Sequence, residues 1–445
     1  MRSIFFILLA SYCLAASGQN QDIIKFVHYN LLYFGATSNN CNGSNNSLDA
    51  KKQELAVIMS YLKPDILTVN ELGPGNFLFN EILSGALNIE GEDRYQAANP
   101  KVNSNLGNML FYNGNKMGLL KQEEIRKELL ADGTFRGPNL VRLIDIYTLF
   151  YKDEEALQKG DTNKIHILVA HLKAGSTSAN KEDRNEAAKA IMRYVGNKKV
   201  NRDNWIISGD FNIQSSTEDT YKTLTQNSTE SIRFFDPVNS PGNWNNNNLF
   251  SNLHTQSTRT SNTNGGCFSG GGLDVRFDFI LTGKEVINGD FGLKYISKSY
   301  RSVGNSGALF NQSIDASSNN SVPSEVKMAL YNLSDHLPVQ ADFTIEKTTV
   351  GIEEANLAKI RIENPASSTL VFHYPQHFSH KTNISLYNHV GQQVKSFEIP
   401  AMVSFFETNI SECPTQTQYQ PVSLTSAKII KVQFSAQFLY THTKI

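Results

Sequence analysis

The sequence predicts an α/β protein with packed β-sheets, and three observations lead to this prediction. Strand-like segments and amphipathic helical segments alternate from about residue 22 to residue 346. Many of the strand-like segments are short and rich in β-branched or aromatic residues, as in IHILVAH and NWIISGD, and several end in a polar residue. With 445 residues, 40% of them hydrophobic, the chain can form two or three domains with a sizeable core.

Two amphipathic helices are predicted in this region. In residues 48–62 the apolar residues recur on one helical face, and Pro64 ends the helix before the strand DILTV. Residues 181–195 show the same helical spacing. No glycine-rich segment stands between a strand and a helix, so the pattern does not indicate a dinucleotide-binding or phosphate-loop protein.

The polar residues at the strand ends are the most informative feature of the sequence. In chain order they are Asn30, Glu71, His171, Asp210, Asn212, Asp278, Asp335 and His336. Carboxylates, amides and imidazoles together can hold a divalent metal, activate water and bind a phosphate. The set therefore predicts metal-dependent phosphoester hydrolysis.

The residue types suit different parts of this chemistry. Magnesium or manganese prefers oxygen ligands and keeps several waters, so Glu71 is the best candidate ligand. Asp210 and Asn212 are two positions apart and would face one side of a strand, the carboxylate towards water and the amide towards a phosphate oxygen. His336 suits proton transfer near neutral pH, and Asp278 is its natural partner. Taken singly, these residues have ordinary alternatives, such as a surface charge or a turn cap.

Other polar residues are weaker candidates. His171, taken alone, is more often a structural histidine. Lys173, Arg184 and Arg276 could contact phosphate, with a solvated lysine and ordinary salt bridges as the expected alternatives. The net charge of −1 gives no strong global field, so a polyanionic substrate would have to be held locally.

The N-terminus and the cysteines bear on the compartment. Residues 1–18 have the pattern of a secretory signal peptide, which leaves residues 19–346 as the catalytic domain. No other stretch is long and apolar enough to cross a bilayer, so we expect no stable membrane insertion. In an oxidising compartment Cys41 and Cys267 could form a disulfide if the strands beside them meet, and the sequence leaves this pairing open.

Two further segments differ in composition. Residues 239–266 are rich in Asn, Ser, Thr and Gly, which predicts a long surface loop that supplies no core, either touching substrate or forming a solvated insertion. Residues 347–445 predict a small β-sandwich-like domain, because apolar and polar residues alternate in short strands. No cluster of acid, base or metal-binding residues occurs in that domain.

The ordered set of motifs in residues 22–346 resembles the endonuclease/exonuclease/phosphatase superfamily. Its members include deoxyribonuclease I, apurinic endonucleases, neutral sphingomyelinases and inositol polyphosphate phosphatases. The resemblance implies a four-layer α/β/β/α sandwich with two mixed β-sheets and a site at one end of them. The full ordered set carries the resemblance, and no single motif does.

The resemblance also implies a role for each matching residue. At the phosphate, it implies that Asn30 orients the scissile group, Asn212 helps to hold it and His171 contacts the phosphoryl oxygens. At the metal, it implies that Glu71 binds magnesium and that Asp335 lies at the metal side. It also implies that Asp210 positions or activates the nucleophile and that Asp278 and His336 form a carboxylate–imidazole pair. Two positions depart from the family pattern. Leu32 stands where some family nucleases have an acidic residue. The glutamate that supports the strand histidine in deoxyribonuclease I has no clear match, since the strand LGNMLFYN offers Asn108.

The tail resembles the C-terminal sorting domain of type IX secretion in Gram-negative bacteria. The segments that carry this resemblance are ENPASSTL, ISLYNHVGQQVKS and SAKIIKV, while the usual Pro-Ser-Gly-Xaa-Tyr turn is degraded to CPTQTQY. The resemblance implies the secretion machinery as a partner and a tail that is cut off or attached to the surface. An accessory β-domain that binds carbohydrate or protein is the alternative.

Together these patterns predict a secreted or surface-attached phosphodiesterase. It would use Mg²⁺, with Mn²⁺ or Ca²⁺ as alternatives, and would hydrolyse DNA or RNA by water attack at phosphorus. A sphingomyelinase or an inositol-phosphate phosphatase on the same scaffold is the enzymatic alternative. A non-catalytic surface binding protein would be expected to lack at least one essential polar residue, and none is missing.

Overall fold

The computed structural model of the protein describes most of the first 347 residues and part of the tail. The described residues are 21–347, except for 38–39, 76, 101–105, 127, 130–134, 137–139, 154–155, 158–161 and 199–202, together with six strands beyond residue 347. The predicted signal peptide and the CPTQTQY motif lie outside the described residues. The chain divides into two compact units, Met1–Thr348 and Thr349–Ile445.

The first unit contains strands and helices in alternation. The strands are β1 (Gln21–Phe34), β2 (Ile66–Leu72), β3 (Tyr95–Ala97), β4 (Gly107–Asn113), β5 (Met117–Ile125), β6 (Glu128–Leu129), β7 (Phe135–Arg136), β8 (Ile144–Tyr151), β9 (Lys164–His171), β10 (Asn204–Asp210), β11 (Phe234–Phe235), β12 (Asp278–Gly283), β13 (Leu293–Tyr295), β14 (Arg301–Ser302) and β15 (Val339–Glu346). The α-helices are α1 (Leu48–Leu62), α2 (Leu78–Ile82), α3 (Ser178–Lys198), α4 (Asp219–Thr225), α5 (Lys284–Asn288) and α6 (Ser324–Leu333). Shorter helical turns span Leu83–Leu87, Glu230–Ile232, Asn248–Leu253 and Asn264–Gly266.

Thirteen strands form two mixed sheets, of seven and six strands, that pack face to face. The first sheet has the order β13-β15-β1-β2-β4-β3, with β14 paired to β15, and the second has the order β11-β12-β10-β9-β8-β5. In each sheet one central pair is parallel, β1 with β2 and β9 with β10, and its neighbours are antiparallel. Strands β1 and β2 contact β10, and β2 also contacts β9, so the central strands of the two sheets face each other.

Helices cover both outer faces and complete a four-layer sandwich. Helix α1 spans the predicted residues 48–62, begins at the N-cap Ser47 and ends at Lys63, which is left-handed (φ 47°). Its buried residues join the core of the first sheet, where α1 packs against α6. Helix α3 contains the predicted residues 181–195 and packs with α4 on the second sheet. The predicted α/β/β/α arrangement is confirmed.

The prediction that residues 239–266 supply no core was wrong, although part of the segment does lie at the surface, such as Leu249 with 85% exposure. Trp244 and His254 are fully buried, and Arg259 is nearly so. Composition misled because the polar side chains of this segment bond to the surrounding backbone. The Thr258 hydroxyl, for example, donates to the carbonyl oxygen of Ser334 (2.8 Å). The segment therefore belongs to the packed body of the first unit.

The second unit is described only by strands. They are β16 (Arg361–Glu363), β17 (Thr369–His373), β18 (Thr382–Tyr387), β19 (Gln393–Ile399), β20 (Phe405–Asn409) and β21 (Gln433–Ser435). They form two antiparallel three-stranded sheets, β16-β17-β20 and β19-β18-β21. This agrees with the all-β fold predicted for the tail. Across the described residues of the chain, no helix has the length and apolar character needed to span a membrane.

Candidate active site

The second sheet aligns three of the predicted site residues in one row. Asp210 ends β10, and it lies directly opposite His171 at the end of β9. On its other side Asp210 lies opposite Asp278, the first residue of β12. All three side chains are buried. The register of two neighbouring strand pairs therefore places a carboxylate between an imidazole and a second carboxylate.

The first sheet brings two more predicted residues to the same place. Asn30 in β1 lies opposite Asn70 in β2, and Glu71 follows Asn70. Strand β2 is irregular at this point, because Glu71 has a left-handed backbone (φ 62°). The Asp210 N–H donates to Asn70 Oδ1 across the sandwich (2.8 Å), which joins the two sheets at the site. Non-glycine residues with positive φ are uncommon and often occur at functional sites.

The backbone on both sides of Asp210 also has unusual geometry. A Cβ atom at Gly209 would collide with the carbonyl oxygen of Ala170, so only glycine allows β9 and β10 to approach this closely. Asn212 is left-handed (φ 52°), and its N–H donates to Asp210 Oδ1 (3.0 Å). The Asn212 amide also donates to the carbonyl oxygen of Leu172 (3.2 Å). Both Asp210 and Asn212 are thereby held in fixed orientations.

Glu71, His171 and Asp210 form a group with metal-ligand spacing. One ligand atom from each lies within 4.8 Å of the others. His171 Nε2 is 3.7 Å from Glu71 Oε1 and 3.5 Å from Asp210 Oδ2. Asn30 Nδ2 donates to both carboxylates, at 3.2 Å to Glu71 and 3.0 Å to Asp210. Carboxylate oxygens suit Mg²⁺, and an imidazole is also accepted by Mn²⁺ and other transition metals.

Burial makes the charges of this group costly. Burial raises the pKa of Asp210 to about 7, and the nearby Asp278 and Glu71 carboxylates add to this rise against the opposing effect of His336. Burial also raises the pKa of Glu71, and it holds the pKa of His171 well below its usual value. A divalent cation among these oxygens would offset the repulsion, so the residues fit the metal that the sequence predicts.

His336 and Asp278 form the predicted carboxylate–imidazole pair. His336 Nδ1 is 2.8 Å from Asp278 Oδ2, and both groups are buried. Burial alone would lower the pKa of His336, but the Asp278 and Asp210 carboxylates outweigh it and raise that pKa well above its usual value. The His336 Nε2 atom lies 3.8 Å from Asp210 Oδ2 and so points into the site.

Asp335 is near the site but outside the three-residue group. Its Oδ2 accepts hydrogen bonds from the Ser269 N–H (3.1 Å) and from Gln256 Nε2 (3.3 Å). Its Oδ1 is buried and has no hydrogen-bond partner among the described residues. The charge of Asp335 contributes to the raised pKa of Glu71. A metal role for Asp335 stays a prediction.

Gln256 was missed in the sequence and contacts two of the predicted residues. Its carboxamide nitrogen is 2.8 Å from His336 Nε2 and 3.3 Å from Asp335 Oδ2. The amide nitrogen and oxygen can exchange places, and an imidazolium at His336 would bond to the oxygen. Because Gln256 lies in the polar segment 239–266, composition alone gave no signal for it.

The cationic candidates divide into structural and site residues. Arg184 is fully buried and bonds to Glu218 (2.6 Å), and Arg276 is fully buried and bonds to Asp236 at 2.7 and 3.0 Å. Both guanidinium groups form buried salt bridges, so the salt-bridge alternative applies to Arg184 and to Arg276.

Two other cations stand nearer the site. Lys173 is partly exposed and donates to the carbonyl oxygen of Ala174 (3.1 Å). Arg142, which sequence reasoning missed, donates to the carbonyl oxygen of Leu172, and its charge lowers the pKa of both Glu71 and His171. Arg142 is therefore the better candidate for contact with an anionic substrate.

Supporting interactions complete the site. Asn108 accepts from Asn70 Nδ2 (2.7 Å) and donates to Asp145 (3.0 Å). Lys51 donates to three carbonyl oxygens, those of Leu31, Leu32 and Leu333, at 2.6, 2.5 and 2.8 Å. These contacts fix the segments that carry Asn30, Glu71 and Asp335. They depend on pairing between distant parts of the chain, so local sequence did not indicate them.

The two cysteines that the sequence left open form a disulfide. Cys41 and Cys267 are 226 residues apart in sequence and bonded in the structure. The bond joins the loop after β1 to the loop before β12. It therefore links the two sheets at the end where the site lies.

Comparison with known proteins gives fold neighbours of low identity. No family model and no curated protein matches the chain. Similar solved structures include the human Nocturnin catalytic domain with bound sulfate (17% identity, 73% of this chain and 97% of that chain, TM-score 0.42). Others are an endonuclease/exonuclease/phosphatase family protein from Bacteroides thetaiotaomicron (17%, 73% and 99%, 0.41) and D. rerio TDP2 complexed with a single-strand DNA product (13%, 72% and 98%, 0.44). Because these TM-scores are below 0.5, we infer the chemistry from this chain's own residues.

Proposed function

We propose that the first unit is a divalent-metal-dependent phosphoester hydrolase of the endonuclease/exonuclease/phosphatase superfamily, with DNA or RNA as its substrate. The observation that supports this most is the buried group of Glu71, His171 and Asp210 beside the Asp278–His336 pair. The group offers carboxylates for a cation, a base for water and an imidazole for a developing negative charge.

The metal site would be formed by the carboxylates. Glu71 and Asp210 would hold Mg²⁺ or Mn²⁺, with His171 or Asp335 as a further ligand. When bound, the cation supplies Lewis-acid polarisation of a phosphoryl oxygen. His171 has two possible uses, as a metal ligand or as a contact to the phosphoryl group, and the metal affinity of a His171→Gln variant would separate them.

Asp210 is the group that activates water. Asn30 and the Asn212 N–H hold its two oxygens in place, so the carboxylate is oriented before substrate arrives. It takes a proton from water while the water oxygen forms a bond to phosphorus and the bond from phosphorus to the leaving oxygen breaks. The leaving oxygen keeps the electron pair of that bond and is protonated by solvent.

The remaining residues stabilise negative charge on the phosphoryl oxygens. His336 is an imidazolium that Asp278 stabilises, and its Nε2–H would turn from the Gln256 carboxamide to a phosphoryl oxygen when substrate binds. The Asn212 amide has a second N–H for the phosphoryl group, while both Asn30 N–H groups hold the Glu71 and Asp210 carboxylates. These donors are fixed before the reaction, which is how such groups lower the barrier most effectively.

A substrate panel tests this function and its alternatives. The purified protein would be assayed on supercoiled plasmid, single-stranded RNA, sphingomyelin and a phosphorylated inositol, with Mg²⁺, Mn²⁺ or Ca²⁺ and then with chelator. We expect nucleic acid hydrolysis that chelator abolishes and that an Asp210→Asn, His336→Ala double variant lacks. Activity that survives chelation, or equal activity of the double variant, would overturn the proposal. Release of phosphocholine or inorganic phosphate in place of nicking would favour the lipid or inositol alternative.

We also propose that the protein is exported. The N-terminal pattern of residues 1–18 and the resemblance of the tail to a sorting domain support this, and a disulfide fits an oxidising compartment. Fractionation of the native producing cells tests it, with immunodetection of the first unit and of the tail. Protein found in the medium or at the surface agrees with export, whereas full-length protein confined to the cytoplasm contradicts it.

A further inference from the structure

A histidine that the proposed reaction does not use lies directly behind the Asp278–His336 pair. His28 in β1 is fully buried, and its Nε2 is 3.8 Å from Asp278 Oδ1. Neither of these two atoms has a partner with hydrogen-bond geometry among the described residues, and the Asn70 side chain is a further polar neighbour of the His28 ring. Because Asp278 Oδ2 faces His336, the carboxylate lies between two imidazoles, one on the core side and one on the site side.

The other nitrogen of His28 leads into a chain of hydroxyl groups. His28 Nδ1 is 3.0 Å from Thr68 Oγ1, and Thr68 Oγ1 is 2.9 Å from Ser208 Oγ. His28 and Thr68 belong to the first sheet, while Ser208 and Asp278 belong to the second. All four residues are fully buried. A continuous row of polar groups therefore runs between the two sheets from Ser208 through Thr68 and His28 to Asp278.

Electrostatics selects the tautomer of His28. Burial lowers the pKa of His28 to about 4, against the opposing effects of Asp278 and the Asn70 side chain, so the ring is neutral near neutral pH. A neutral imidazole has one N–H. A proton on Nδ1 would leave the Nε2 lone pair facing the Asp278 carboxylate. A proton on Nε2 faces that carboxylate favourably, and Nδ1 can then accept the Thr68 hydroxyl proton.

We propose that His28 is a positioning residue, which directs its Nε2–H at Asp278 and so orients the carboxylate that holds His336. The contact is longer than a hydrogen bond and acts as a charge–dipole attraction in a buried site, where such attractions are strong. The inference rests on the proposed function, because the pair being oriented is the one assigned to charge stabilisation. His28 itself touches neither substrate nor metal in this scheme.

The chain offers a matched control for this histidine. His166, near the start of β9, also contacts a threonine hydroxyl and an aspartate, with Nδ1 at 3.0 Å from Thr148 Oγ1 and Nε2 at 3.1 Å from Asp203 Oδ2. Its ring stacks on Trp205. His166 lies five residues before His171, at the end of β9 away from the site. His166 is partly exposed and His28 is fully buried, so substitution of His166 controls for loss of the threonine and aspartate contacts, and the melting temperature of each variant reports the cost that comes from burial.

Histidine nitrogen NMR on the full chain, without metal or substrate, tests the orientation directly. We expect His28 to carry its proton on Nε2, and we expect the His336 Nδ1–H signal to weaken or shift in His28→Leu but not in His166→Leu. A proton on Nδ1 of His28, or an unchanged His336 signal in His28→Leu, would overturn the inference. This readout is independent of turnover, so a protein with the expected signals and no hydrolytic activity would refute the proposed function alone.

Kinetics supply the second readout. We expect His28→Leu to lower kcat about 10- to 100-fold with little change in KM or in metal affinity, as for other residues that orient a site group. His28→Gln should keep part of the wild-type kcat, because its amide N–H can point at Asp278. The glutamine variant also replaces the leucine variant in this test if the leucine variant folds poorly. His166→Leu should keep kcat and lower only the melting temperature. Equal kcat values for His28→Leu and His166→Leu would contradict a positioning role.

Discussion

The two ends of β2 carry buried carboxylates with different partners. Asp65, just before the strand, accepts from the Lys25 N–H (3.0 Å) and from Asn113 Nδ2 (3.0 Å), and it lies 3.3 Å from the Lys116 ammonium. Glu71, near the other end, is buried to a similar degree, with 9% of its surface exposed against 7% for Asp65. The chain thus supplies a lysine as the partner of the Asp65 carboxylate.

Among the described residues, Glu71 has no such lysine or arginine partner. It accepts hydrogen bonds from Asn30 and from the Tyr33 N–H, and its nearest ionisable partner is His171, whose pKa is depressed. Among the described residues, no lysine or arginine lies within 4.0 Å of the Glu71 or Asp210 carboxylate. Burial alone therefore does not mark a site. A buried carboxylate without a cation partner does, because it needs a cation from outside.

We expect Asp210→Asn to have the largest effect on activity. The amide keeps the size of the side chain but can neither accept a proton from water nor bind a cation strongly. We expect kcat to fall about 10²- to 10⁴-fold, the range for loss of a general base. The measurement is steady-state hydrolysis of the preferred substrate with saturating Mg²⁺. Asp65→Asn is the matched change at the other end of β2, and a comparable loss of kcat there would remove the distinction between the two ends.

Replacing Cys41 and Cys267 by serine tests what holds the site end together. The bond closes a long loop, so its loss should lower the free energy of unfolding by about 2–4 kcal/mol. We expect kcat per folded molecule to change little, because neither cysteine reaches the reacting groups. Chemical denaturation in the presence and absence of reductant measures the effect. A wild-type protein with the same stability in both conditions would show that the bond does not contribute.

Metal binding should also distinguish a Glu71→Gln variant from an Asp65→Asn variant. A ligand that binds only the folded protein stabilises it by about 2.7 kcal/mol at 100 times its Kd. We expect Mg²⁺ or Mn²⁺ to raise the melting temperature of the wild type and of Asp65→Asn, but to raise that of Glu71→Gln much less. Without metal, Asp65→Asn should be the less stable variant, because Lys116 loses one of its two carboxylate partners and keeps only Asp22. A full metal-induced shift in Glu71→Gln would place the cation elsewhere.

Arg142→Ala should have the smallest effect. Arg142 is partly exposed and contributes one charge near the site, so we expect KM to rise about tenfold with little change in kcat, as for one charge-assisted hydrogen bond. The effect should shrink as salt is added, because exposed charges are screened. Lys189→Ala on the exposed side of α3 is the control, and an equal rise in KM there would show that general surface charge is responsible.

The parts of this fold that were predictable from sequence have local signals. Helix α1 was readable because its apolar spacing and Pro64 lie within one short segment, and the polar strand ends were readable because each follows an apolar run. The superfamily resemblance supplied the four layers, which alternation alone could not specify.

The parts that were missed depend on contacts between distant segments. Gln256 reaches His336 across 80 positions of sequence, and Tyr331, whose ring lies against the Arg259 guanidinium, is 72 positions away from it. His28 sits two residues before Asn30 in the same motif, yet its relation to Asp278 appears only when the two sheets face each other. Arg184 and Arg276 looked like surface charges for the same reason, since sequence gives a residue's type and not its burial.

The central claim is that Glu71 and Asp210 hold a divalent cation, with His171 or Asp335 as a further ligand. The most direct test is anomalous diffraction from crystals of the full chain soaked in Mn²⁺. We expect one strong anomalous peak within coordinating distance of a Glu71 carboxylate oxygen, and no such peak at Asp65. A peak only at other positions, or none near Glu71 at saturating Mn²⁺, would contradict the account.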